Sequence, residues 1–201
     1  MKSVSPSIVI LGLVAMTAAT APLIYAQLFQ QQQMRKPSEL LRKQEPLKVN
    51  QSLLKQATQD NTHIVVSIPK QRAYLMIGQQ IVAEGPISSG KRGHETPHGH
   101  FTVLEKDPNH RSSLYGDFVD GRGRVVRAGV SAQIDSAPSG THFAGAAMKW
   151  FLRLTGEGVG MHIGILPGYP ASHGCVRESV DGAKLFYDHA KVGTTVDVGD
   201  Y

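Results

Sequence analysis

"HIVVSIPKQRAYLMIGQQIVAEGPISSG", residues 63 to 90, is the stretch whose reading decides the fold. "HIVVSIP" and "RAYLMI" are rich in β-branched and aliphatic residues, Gly78 offers a turn, and "QQIVAEGPISSG" returns as the partner arm of a hairpin. Outward from it, Thr96 to Gly99 reads as a turn and Phe101 to Leu104 as a strand, with further strands in "RVVRAGVSA" (124–132) and "TTVDV" (194–198). One helix is predicted late in the chain, over "SVDGAKLFYDHAK" (179–191). There Val180, Ala183, Tyr187 and Ala190 recur at helical spacing, Ser179 can cap the start and Gly193 closes the end. The polar, glycine-rich stretches 107–123 and 135–148 read as long surface connections of the kind that form binding rims. "AAMKWFLRLTGEG" (146–158) reads as a short helix or an apolar edge, because Met148, Phe151, Leu152 and Leu154 fit no period. The class is therefore mainly β with one short late helix.

Ahead of this region the chain changes character. Lys2 and the free amine precede "IVILGLVAMTAATAPLIYA", residues 8 to 26, which carries no charge. Its most apolar part, Ile8 to Met16, suits a signal peptide, with Ile24-Tyr25-Ala26 as a cleavage site, and its full 19 residues are also long enough to span a bilayer. Residues 1–26 are thus expected to be a signal peptide or membrane anchor, which puts the rest outside the cytoplasm. Residues 27–61, Gln-rich and basic, read as a spacer with short helices over Ser38 to Lys43 and Gln51 to Thr58, leaving 62–201 as the domain. A hydrophobic content of 41% and a charged content of 18% are globular values. The net charge of +5 draws the protein toward anionic surfaces, but no long basic run interleaved with aromatics points to nucleic acid. Neither a repeat nor a P-loop is present; "GKRGHE" (90–95) lacks the serial glycines and the Lys-Ser/Thr ending that hold phosphates.

The chain has one cysteine, Cys175, so it holds no internal disulfide, CxxC zinc knuckle or dithiol redox site. A thiol becomes a strong nucleophile when a base favours the thiolate, and two imidazoles are near in sequence: His173, two residues before it, and His162, 13 residues before it. Gly174 lets the backbone turn sharply, so that successive N–H groups can converge on an oxyanion. Arg177 can bind a carboxylate or brace the loop. Main-chain carbonyls of Ile163 and Gly164 stand ready to orient the His162 ring, with Asp181 as a weaker candidate. Competing readings are a buried inert thiol and a zinc site of Cys175, His162, His173 and a further residue such as His189, although the spacing matches no common zinc motif. His94, His98 and His100 form a second cluster, read as solvated or as part of a rim, and Tyr115 and Tyr169 read as cleft walls or loop packing.

These residues also carry a family resemblance. "HIGILPGYPASHGCVR" (162–177) resembles the signature of the L,D-transpeptidase catalytic domain, the YkuD domain, in which a histidine followed closely by glycine precedes Ser-His-Gly-Cys and an Arg or Asn. "ISSGKRGHETPHGHF" (87–101) resembles the family's segment with Ser/Thr-Gly, then Thr-Pro, Gly and an aromatic; "HRSSLYGDF" (110–118) and "KWFLRL" (149–154) resemble further segments of an envelope-associated subgroup. The likeness covers roughly residues 62 to 200. It departs in two places: Ile163 stands between His162 and Gly164, and the spacing from His162 to Cys175 is at the compact end, which implies a narrower acceptor side.

The resemblance implies a mixed β barrel or sandwich, with Cys175 as nucleophile and His162 as general base, its ring held by a main-chain carbonyl. Ser172, His173 and Gly174 frame the nucleophile, the N–H groups of Gly174 and Cys175 serve the oxyanion, and Arg177 supports the loop or binds substrate, with Tyr169 a further candidate. No metal or organic cofactor is implied. The implied substrate is a peptidoglycan stem peptide, cleaved before its terminal D-alanine to leave a thioester. Aminolysis by a second stem gives a 3-3 cross-link, aminolysis by a lysine of an envelope protein anchors that protein, and water makes the enzyme a carboxypeptidase. Carbapenems acylate the family's cysteine, and the implied location is the periplasm. A module that binds peptidoglycan without turnover is the reading in which the chain is no enzyme.

Overall fold

A computed structural model describes residues 41–201. The expected signal or anchor segment and the first part of the spacer lie outside the described residues. Among the described residues no helix is long and apolar enough to cross a membrane.

The hairpin stretch forms β2 (Thr62–Ser67), β3 (Arg72–Ile77) and β4 (Gln80–Ser88), paired antiparallel in that order. Alternation drives it: Ile64 and Val66 on β2 and Ala73 and Leu75 on β3 are fully buried, while the residues between them are only partly covered. Gly78 makes the expected turn with φ +54°. These strands sit in a ten-stranded mixed sheet with β1 (Lys48–Val49), β5 (Gly99–Thr102), β6 (Glu105–Asp107), β10 (Phe151–Arg153), β11 (Gly160–Ile163), β12 (Val176–Glu178) and β13 (Thr195–Gly199). Its order is β5-β13-β2-β3-β4-β12-β11-β10-β6, with β1 added to β4. Two pairs are parallel, β13 with β2 and β11 with β12. The core runs along one face of this sheet and includes Ile87, Leu152, Met161, Val176, Val196 and Val198.

A helix of 10 residues, α2 (Val180–His189), crosses over from β12 to β13, as predicted. Ser179 caps it through a bond from the Gly182 N–H at 3.1 Å, and Lys106 closes its other end by donating to the carbonyls of Tyr187 and Ala190 at 2.7 and 2.5 Å. The buried face differs from the expected one. Ala183, Phe186 and Ala190 are buried, whereas Val180, the first helical residue beyond the cap, is 55% exposed.

Four further stretches fold otherwise than their composition suggests. From residue 41 on, the spacer lies against the domain: Leu47, Val49, Leu53, Leu54 and Ala57 pack on the core, β1 pairs with β4, and Asn50 caps the short helix α1 (Gln51–Leu54). The polar stretches read as irregular connections contain β7 (Arg111–Asp120) and β9 (Thr141–Ala147), which with β8 (Val125–Ser131) make a separate three-stranded sheet, β8-β7-β9. Two of their glycines, Gly116 and Gly145, serve close strand approach, whereas Gly121, Gly123 and Gly140 lie in turns. A Cβ on Gly116 would meet the Ala144 carbonyl at 2.2 Å, and one on Gly145 the Ser112 carbonyl at 2.0 Å, where the register of β7 against β9 shifts. Finally, "KWFLRL" holds the strand β10. Phe151 and Leu152 are both fully buried, one on each face, which erases any period.

Candidate active site

The parallel pair β11 and β12 builds the site. Met161 stands opposite Val176 and His162 opposite Arg177, so Cys175, just before β12, falls beside Gly160. Strand alternation then puts Cys175, Arg177 and His162 on one face, and Val176 and Glu178 on the core face. Residues 164–175 form the loop that leads from β11 back to Cys175.

His162 is 7% exposed, and its Nδ1 donates to the Ile163 carbonyl at 2.7 Å. That bond fixes the tautomer and leaves Nε2 as the free acceptor. Burial pushes the pKa of His162 down to about 4; the Ile163 carbonyl works against the shift, and the charges of Arg177 and His110 add to it. Cys175 is partly buried, and its Sγ donates to the Gly158 carbonyl at 3.7 Å. Burial raises its thiol pKa, opposed by the Gly160 N–H and by Arg177 and Arg153. Burial thus favours the uncharged form of each group, a thiol at Cys175 and a neutral imidazole at His162.

The turn before Cys175 is tied at every residue. Ser172 is buried; its Oγ donates to the Cys175 carbonyl and accepts from the Gly174 N–H at 3.1 Å. Gly174 has φ +117°, a conformation that calls for glycine. Its N–H, expected to face an oxyanion, is instead committed to Ser172, because a buried hydroxyl needs both a donor and an acceptor within reach. The upstream Thr-Pro segment braces the same turn. Thr96 Oγ1 donates to the Gly174 carbonyl at 2.7 Å and accepts from the Gly90 N–H at 2.8 Å, and the Ser89 carbonyl accepts from the N–H groups of Ala171 and Ser172 at 2.9 and 3.0 Å. Gly90 has no room for a side chain, since a Cβ would lie 2.0 Å from the His94 carbonyl.

Arg177 is half-buried, and its stem lies on Gly164, where a Cβ would stand 2.7 Å from Arg177 Cγ. This explains the inserted Ile163. It completes β11 opposite Glu178, presents its carbonyl to His162, and leaves Gly164 one step later, where Arg177 needs the space. His173 is exposed. Its ring stacks on Tyr115 of β7 with centroids 4.4 Å apart, meets His94 edge-on at 4.9 Å, and accepts at Nε2 from Lys91 Nζ at 3.0 Å. Partial burial, Lys91, His94 and Arg177, in that order, lower its pKa. Tyr115, His94, His173, Arg177 and Asp117 line a cavity of about 520 Å³ between the three-stranded sheet and the cysteine turn.

Tyr169 does not join them. Its carbonyl accepts from Ser88 Oγ at 2.7 Å, and its ring, with Arg42 5.9 Å above the centroid, lines a different groove beside Arg72 and Tyr74. The His94/His98/His100 cluster also separates: His100 pairs with Asp197 at 2.6 Å, and His98 lies 4.0 Å from Asp200. Asp181 is exposed on the first turn of α2, and His189 donates to the Leu185 carbonyl in its own helix at 2.8 Å. Among the described residues no group of three or more His, Cys, Asp or Glu is arranged to hold a metal ion.

The model of the L,D-transpeptidase catalytic domain, YkuD, matches residues 61–198. The chain belongs to this family. It is similar to the curated "Probable L,D-transpeptidase ErfK/SrfK" of Salmonella typhimurium, with 28% identity over 141 residues, covering 68% of this chain and 44% of the relative. Among solved structures, an L,D-transpeptidase from Mycobacterium smegmatis shares the fold with a TM-score of 0.52 and 24% identity, covering 69% of this chain and 58% of that one. An L,D-transpeptidase solved in complex with imipenem gives a TM-score of 0.52 and 22% identity, covering 69% and 59%. The chain thus spans less than half of the curated relative and under two thirds of these structures. Within the L,D-transpeptidase domain, sequence reasoning missed two contributors, Arg153 and His110, which act on Cys175 and His162 through their charges. Tyr115, read as a cleft wall or loop packing, carries the His173 ring; nothing local in 107–123 announces the strand that places it.

Proposed function

We propose that this protein is a cysteine acyltransferase of the cell envelope, acting on peptidoglycan stem peptides. The observation that carries the reading is His162, buried, neutral and tautomer-fixed by Ile163, on the same face as Cys175 and Arg177. Nε2 of His162 takes the thiol proton as Sγ attacks the amide carbonyl preceding a terminal D-alanine. The tetrahedral oxyanion takes the Cys175 N–H as one donor, and Gly174 N–H joins if Ser172 Oγ releases it. On collapse the C–N bond breaks, His162 returns the proton to the leaving amine, and a thioester remains on Cys175. An incoming amine then gives up its proton to His162, displaces the thiolate and leaves a new amide. Arg177, half-buried beside Cys175, is assigned to a substrate carboxylate, and His173 to the rim. A carbapenem is expected to acylate Cys175, in line with the imipenem held by the solved relative.

Residues 1–26 are assigned to export or anchoring in this reading, and the domain to the periplasmic side, from residue 62 with the packed segment 41–61 attached. The test is incubation of the purified protein with tetrapeptide muropeptides and mass analysis of the products. Loss of D-alanine with dimer formation is the expected result. Loss with gain of water makes it an L,D-carboxypeptidase, transfer to an envelope-protein lysine makes it an anchoring enzyme, and binding without turnover rejects catalysis in favour of a binding module.

A further inference from the structure

Glu178 ends β12, three residues beyond Cys175 and one beyond Arg177, on the opposite face of the strand. It is 1% exposed, and neither carboxyl oxygen has a hydrogen-bond partner among the described residues. Its in-register neighbours are Ile87 on β4 and Ile163 on β11. From α2, Gly182 lies over it, close enough that a Cβ there would stand 4.0 Å from Glu178 Cβ. None of these three residues can titrate. The charged and titratable groups of the same elements face elsewhere: His162 and Arg177 lie on the other side of the sheet, Glu84 of β4 pairs with Arg72 at 3.1 Å, Asp181, Lys184 and Asp188 are exposed, the Tyr187 ring lies under Lys106, and His189 donates to the Leu185 carbonyl. A carboxylate enclosed by aliphatic side chains is far more costly than the neutral acid, and burial raises the carboxyl pKa of Glu178 well above its ordinary range. Its main chain meanwhile reaches the candidate site, where the Glu178 carbonyl accepts from the Gly164 N–H at 2.9 Å.

We infer that Glu178 is a protonation latch on the strand that carries Arg177 and is entered through Cys175. Neutral, the side chain lies between Ile87 and Ile163 beneath α2. Ionised, it can be hydrated only if the first turn of α2 lifts from β12, which loosens the strand on which the reactive face depends. The folded protein then binds one more proton than the unfolded chain above the unfolded glutamate pKa of about 4.3, so stability falls as pH rises from there through the folded pKa. The inference stands independently of the proposed reaction.

The test is thermal unfolding of the full chain as wild type, Glu178→Gln and Glu178→Met at about pH 5, 7 and 9, a range that brackets the ordinary carboxyl and extends well above it. The expected result is a gain in Tm for both variants over wild type that widens by several degrees from the acid to the alkaline end. Curves that run parallel across the range overturn the latch. Amide exchange at about pH 9 supplies the local readout, with residues 178–183 expected to exchange about tenfold or more faster in wild type than in Glu178→Met. Equal exchange overturns it as well. If neither variant folds, carbon NMR of glutamate-labelled wild type decides: one neutral carboxyl persisting at about pH 7 supports the latch, and ionisation of every glutamate overturns it.

Discussion

The β11–β12 pair and the three-stranded sheet β8-β7-β9 meet at His173, yet they contribute to the site by opposite means. On β11, His162 is enclosed, held by one main-chain bond, and neutral because water is excluded. On β7, Tyr115 meets an exposed imidazole by stacking alone, and β8 is exposed along most of its length. In the proposed reaction the first region serves the chemistry through burial and the second serves access. Two histidines with similar claims in the sequence are accordingly assigned different work, with the enclosed His162 as the proposed base and the exposed His173 on the rim.

The comparison breaks first at the thiol. Cys175→Ala is expected to abolish acyl transfer completely while leaving Tm within a few degrees of wild type, since a small partly buried side chain is replaced by another; retained turnover in the muropeptide assay rejects the mechanism. Next comes the base. His162→Ala should slow acylation by about 10²–10⁴-fold, whereas His173→Ala should cost about tenfold or less. Equal losses in single-turnover acylation erase the distinction between enclosed and exposed imidazole.

A pH dependence sharpens the same contrast through stability. Because the pKa of His162 is about 4 in the folded protein against about 6.5 unfolded, the unfolded chain binds more protons between those values. The His162 contribution is thus present above about pH 6.5 and lost as pH falls to about 4, with an order-of-magnitude size of about 3 kcal/mol. Denaturant unfolding of His162→Gln should lose this acid-side slope; an unchanged slope assigns it to other groups. The smallest effect belongs to the exposed side: Tyr115→Ala removes a stack worth about 0.5–1.5 kcal/mol. It should raise KM for the stem peptide several-fold with kcat nearly unchanged, and a loss confined to kcat contradicts a rim role.

Much of the fold was legible because its signals are local. The hairpin at 63–90 follows from alternation and Gly78, and α2 from its spacing and the Ser179 cap. Of the sheet β8-β7-β9 only β8 was legible; β7 and β9 were not, since Gly116 and Gly145 look like turn residues and become strand residues only when another backbone lies 2.0–2.2 Å from where a Cβ would be. The same holds for 47–57, whose few apolar side chains have no visible purpose until a core is there to receive them. In the site, Cys175, Ser172 and Gly174 form one readable turn, but the use of Gly174 N–H by Ser172 depends on geometry that no spacing reveals. Tyr169 read as a cleft wall or as loop packing, and only the folded loop shows that its ring lines a different groove beside Arg72 and Tyr74.

By itself the sequence determined which groups are available: one thiol, two nearby imidazoles, a positive-φ glycine and an arginine, in a mainly β chain whose strand and helix periods are written in neighbouring residues. The tertiary structure decided which imidazole is neutral, which N–H is already spent, and that the Glu178 carboxyl finds no hydrogen-bond partner among the described residues. Those outcomes depend on solvent exclusion and on strands brought together from distant parts of the chain, and both are properties of the packed sheet that no local stretch contains.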